Sequence, residues 1–114
     1  MGGASRVVRD LVAEAQIPPD GITSRTLLNE EHAKVVLFGF DAGQELSEHT
    51  ASMPAIIHVV SGEGSLTLGD ERLPARPGLW VSLPANMPHS LTAATPLVML
   101  LTLFKSARAP ASRI

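Results

Sequence analysis

The 114-residue chain has no cysteine and no tyrosine, and only three Phe and one Trp. Without cysteine there are no disulfides, no thiolate metal ligands and no thiol nucleophile. With aromatics at 4%, the core has to be aliphatic, and the stacking platforms that hold unpaired bases are scarce. Charge is thin as well. A formal net charge of −2 gives little attraction to a phosphate backbone or an anionic lipid surface, so neither nucleic acid nor membrane is expected as a partner. Lys105, Arg108 and Arg113 make residues 105–114 a basic tail, read as a loosely ordered end rather than an interaction arm. No long apolar run stands near the N-terminus, where Arg6, Arg9, Asp10 and Glu14 interrupt the pattern. Neither a secretory signal nor a membrane span is expected there, and a cytoplasmic location is the default.

Signatures of common chemistry are missing too. There is no phosphate-binding G-x-x-x-x-G-K-S/T and no G-x-G-x-x-G between a strand and a helix. Gly62-Glu63-Gly64 is too short for such a loop and reads as a hairpin turn. No serine sits in a nucleophile-elbow context, which argues against hydrolase chemistry of that kind.

What is present is 45% apolar residues, enough for one domain with a real core. In residues 4–16, Val7, Val8, Leu11, Val12 and Ala15 recur at helical spacing, with Ser5 as the expected N-cap and Pro18-Pro19 as the stop. Residues 1–20 are therefore expected to form a helical extension. After Gly21 the pattern changes to short runs at 22–28, 33–40, 55–61, 65–69, 79–83, 89–93 and 97–104, separated by Gly, Pro and Asn turns. Strands at about ten-residue intervals predict an all-β barrel or sandwich over residues 21–104. AIIHVV and LVMLLTLF are apolar on both faces and need two covering layers. The extension or a second subunit can supply the outer one, which makes a homodimer an expectation. Trp80 is read as core or dimer contact.

The histidines carry the remaining chemistry. His32 lies in the polar turn NEEHAK and is expected in solvent. His58, three residues after Ala55, projects to the other face of its strand. His49 and His89 each border a strand after a turn-like stretch, and imidazoles from two strands can converge inside a barrel.

Here the residues resemble the cupin family. Gly43, His49 and Gly62 match its first stretch, G-x5-H-x-H-x3-E-x6-G, with Ala51 at the second His and Ala55 at the Glu. Gly78, Pro84 and His89 match the second, G-x5-P-x-G-x2-H-x3-N, with Asn86 for the last Gly and Ala93 for Asn. The resemblance spans about residues 34–104. It implies a double-stranded β-helix with a pocket at one mouth, often paired as a dimer, and it leaves the function open.

The departures bear on the site. The family's metal set of three His and one Glu is reduced to His49 and His89, where a catalytic metal usually takes three protein ligands. Glu48 neighbours His49 and should face away, whereas Glu45 shares its side in a regular strand. The two alanines free volume, and Met53, Met87 and Met99 border the mouth, with Ile57 on the face of Ala55. The plainer role of each methionine is core filling. Expected is a largely apolar small-molecule pocket formed by His49, His89, Met53, Ala55, Ile57, Met87 and Met99. It would carry no cofactor, or a divalent Zn, Ni, Mn or Fe ion held weakly by the two histidines. The alternative is a metal-dependent enzyme of isomerase, dioxygenase or lyase type using the same two imidazoles. Catalysis itself is left undecided.

Overall fold

Turn chemistry after Gly21 divides the described residues into nine strands: β1 (Ile22–Asn29), β2 (Ala33–Phe40), β3 (Glu45–His49), β4 (Ala55–Ser61), β5 (Gly64–Leu68), β6 (Glu71–Ala75), β7 (Trp80–Leu83), β8 (His89–Ala93) and β9 (Leu97–Phe104). The computed structural model describes residues 4–105, so the expectation for the basic tail beyond Lys105 lies outside the described residues. The strands form two sheets, β1-β2-β9-β4-β7 and β3-β8-β5-β6, in which every pairing is antiparallel. This is the barrel that the sequence pattern predicts.

Alternation along each strand fills the space between the sheets. Ile57 and Val59 of β4, Leu66 of β5, Leu91 of β8, and Leu97 and Met99 of β9 are fully buried there, beside Phe40. The core is aliphatic apart from Phe40 and its partner Phe38, whose rings stack at 6.1 Å. Each such side chain contributes roughly 1.5–3 kcal/mol on leaving water. Gly62 leads out of β4 at φ 86°, and a Cβ there would lie 2.0 Å from the Pro96 carbonyl oxygen, so the turn admits only glycine.

The helix is shorter than the sequence predicts. α1 covers only Leu11–Ala15, and Asp10, not Ser5, caps it by accepting from the backbone N–H groups of Val12 and Ala13. Gln16, left-handed at φ 48°, ends it. Upstream, Val7 is 68% exposed and has no surface to pack on. What α1 does cover is the outer face of the five-stranded sheet, where Ala15 meets Leu37 and Val98, flanked by Leu11, Ile17, Val60 and Leu100. The second layer over β2, β9 and β4 is therefore intramolecular in part.

Trp80 narrows another expectation, that of core or dimer contact. It lies on the outward side of the edge strand β7, 58% exposed, so it is not core. His58, its partner in register, is also exposed, and so is His32, as predicted.

Candidate functional site

β3 and β8 run side by side, and their register sets His49 directly opposite His89. The pairing contains an irregularity. Leu46 pairs with Leu91, so three steps on β3 match two on β8, the signature of a bulge. Regular alternation would turn Leu46 and His49 to opposite faces. The extra residue brings both to the inner side, Leu46 against the core and His49 beside His89. It also reverses the expectation for Glu45, which is exposed on the outer side and does not join His49.

The two rings lie 4.2 Å apart between centroids, tilted by 56°. His89 is 6% exposed, whereas His49 is exposed at the rim. Each Nδ1 lies 2.9 Å from the backbone carbonyl oxygen two residues earlier, Ser47 for His49 and Met87 for His89. A carbonyl oxygen can only accept, so both Nδ1 atoms carry the proton and each neutral ring presents a lone pair at Nε2. Nε2 of His89 has no hydrogen-bond partner among the described residues. It is also not sealed off, since the one buried side-chain nitrogen or oxygen without a partner among the described residues is Arg25 Nε. That nitrogen therefore opens onto the adjoining cavity.

The cavity holds about 170 Å³. His49, Ala51 and Met53 line it from the end of β3 and the loop that follows, and Ala55 begins the β4 wall. Leu83, Pro84 and Met87 close the side of β7 and its loop, His89 stands on β8, and Leu101 and Leu103 form the β9 wall. Apart from the two imidazoles, no polar side chain among the described residues lines it. The loops carrying Ala51 and Met87 are tied by one backbone hydrogen bond, Asn86 N–H to Ala51 O at 2.7 Å. Asn86 replaces a motif glycine and keeps the left-handed backbone, φ 68°, which asparagine tolerates better than most residues.

The structure thus brings together His49, His89, Met53, Ala55 and Met87. Ile57 and Met99 lie deeper, each 1% exposed, in the core rather than on the cavity wall. Leu83, Pro84, Leu101 and Leu103 also form the wall, beyond the residues that the sequence singles out. For the two β9 leucines, period-two spacing from Met99 was the available signal.

Two imidazole nitrogens fall short of the donor set of a catalytic metal centre. No cluster of three His, Asp or Glu residues placed to hold an ion occurs among the described residues, and Ala51 and Ala55 supply only methyl groups.

The sequence profile described as Cupin domain matches residues 36–103. The chain belongs to the cupin family. Its fold is similar to that of a conserved protein of unknown function from Streptococcus pyogenes, at 30% identity and TM-score 0.82, covering 94% of this chain and 97% of that one. An RmlC-like cupin from Desulfovibrio desulfuricans is 26% identical with TM-score 0.74, covering 91% and 97%. The gentisate complex of a salicylate 1,2-dioxygenase from Pseudoaminobacter salicylatoxidans is 18% identical with TM-score 0.70. It covers 74% of this chain and 25% of that enzyme, and shows the barrel alone. No curated protein matches the sequence. Among the described residues, no helix of this cupin is long and apolar enough to cross a membrane.

Proposed function

We propose that this cupin binds a small molecule in the apolar cavity beside His49 and His89, with weak or no metal binding. One observation carries the reading: the cavity is walled by methionine, leucine and alanine, and its polar side chains are two imidazoles in a fixed tautomer. A concave apolar site with few polar groups fixing orientation is the usual layout for small organic ligands. A panel of single-ring and short-chain compounds, scored by saturation-transfer NMR, tests it. Binding is expected to wild type and to be lost in Ala51→Phe, which fills the cavity from a loop position and should leave the melting temperature nearly unchanged. Binding by no compound, or equal binding to the filled variant, contradicts it.

A second reading, a metal-dependent enzyme, is favoured by the same tautomer. Nδ1–H bonded to a carbonyl is how metal-ligating imidazoles are commonly held, leaving Nε2 to coordinate. Zn, Ni, Mn or Fe retained stoichiometrically through dialysis, and lost in both His49→Ala and His89→Ala, would favour this reading over the first.

The protein is further proposed to act in the cytoplasm as a homodimer. The outer face bearing Trp80 and the 42%-exposed Phe104 is left uncovered by α1 and would meet the second copy. Light scattering at micromolar concentration should give twice the chain mass, and a monomer there rules the dimer out.

A further inference from the structure

We infer that the cavity selects a neutral, single-ring aromatic compound carrying a hydroxyl donor, with phenol the simplest case. The inference rests on reading the cavity as a ligand site and goes further by naming the chemistry it takes.

Size comes first. At about 170 Å³ the space is close to the ~150 Å³ apolar cavity that accommodates benzene, so one six-membered ring with a small substituent fills it. The walls favour an aromatic ring over an aliphatic one. Met53 and Met87 both line the space, and thioether sulfur makes favourable contacts with ring edges. Leu101 and Leu103 supply the flat aliphatic side.

Polarity decides the substituent. Both Nδ1 protons are committed to backbone carbonyls, so the nitrogen that a neutral ring turns to the cavity is an acceptor. A ligand without a donor must strip water from Nε2 of His89 and leave that nitrogen unpaired, a penalty that discriminates strongly against it. A hydroxyl hydrogen donated to Nε2 removes the penalty. An anion fares worse still. Its oxygens would face two lone pairs, and among the described residues no lysine, arginine or other cationic side chain lines the cavity.

The test compares phenol, its methyl ether anisole, and benzoate by calorimetric titration, alongside the ring ¹⁵N spectrum of the histidines. Phenol is expected to bind about tenfold more tightly than anisole, the loss that accompanies one missing hydrogen bond. It should also shift the Nε2 resonance of His89, where anisole leaves it in place. In His89→Ala the phenol-to-anisole ratio should fall towards one. Equal binding of phenol and anisole to wild type overturns the donor rule and leaves the ligand pocket standing. Benzoate as the tightest binder overturns it in favour of an anion site. Binding of none of the three overturns this inference, and if the wider compound panel also fails, the ligand-site reading falls with it.

Discussion

Asn86 does two jobs at one backbone position. Its left-handed φ of 68° turns the loop after β7, and its N–H fastens that loop to Ala51 across the cavity mouth. Asn86→Gly keeps the backbone and is expected to change stability by a few tenths of a kcal/mol. Asn86→Val forces a β-branched residue into the left-handed region and should cost about 1–2 kcal/mol, read from urea denaturation midpoints. Asp41 governs the acid response of another turn. The Asp20 N–H at 2.6 Å, followed by the Ala42 N–H at 2.8 Å, holds its carboxyl below the ordinary aspartate value of 3.8. A depressed folded-state value means stability that is present above 3.8 and lost as pH falls below it through the folded-state value. The wild type should therefore lose more stability than Asp41→Asn between neutral pH and pH 3. Parallel losses in thermal melts would show that the clamp does not matter. The effect is small, because Asp41 is only half-buried and solvent screens it.

The attachment of α1 is decided by single contacts. Thr23 Oγ1 donates to the Ala15 carbonyl at 2.8 Å, satisfying one of the open carbonyls at the end of the helix. Beside it, Gly39 leaves room for Ile17 to approach, since a Cβ there would stand 2.7 Å from Ile17 Cγ1. Thr23→Val should cost about 1 kcal/mol and raise amide exchange over residues 11–15 without disturbing the strands. Unchanged exchange there would show that packing alone holds the helix.

The same scale shows what was legible in the sequence. Strands β1, β2, β4, β5, β7, β8 and β9 are short runs bounded by turn residues, and the sequence places each of their ends to within a residue. β3 and β6 escape that reading. ELSEH has one apolar residue facing in, and ERLPA contains Pro74, which an edge strand tolerates because its outer N–H row has no partner. The helix is shorter than its periodicity suggests because periodicity says nothing about whether a surface exists to receive Val7. Glu45 was misplaced because a bulge leaves no mark in a two-residue alternation. The motif frame located His49 and His89. Their opposition across the β3–β8 pair, their common tautomer and the β9 leucine wall required coordinates.

At the scale of the molecule, two sheets bury a tight aliphatic core at one level and part at another to leave a cavity. Met99 and Ile57 mark the filled level, while Met53 and Met87 mark the open one. The methionines therefore provide built-in reporters, because they sit on either side of that division. A ¹³C-methyl methionine spectrum of the wild-type protein, recorded while phenol or anisole is added, tests the central claim most directly. The account predicts saturable shifts of the Met53 and Met87 methyls with Met99 nearly still, and loss of those shifts in Ala51→Phe. Static Met53 and Met87 signals at saturating probe, or shifts that persist in the filled variant, would contradict it.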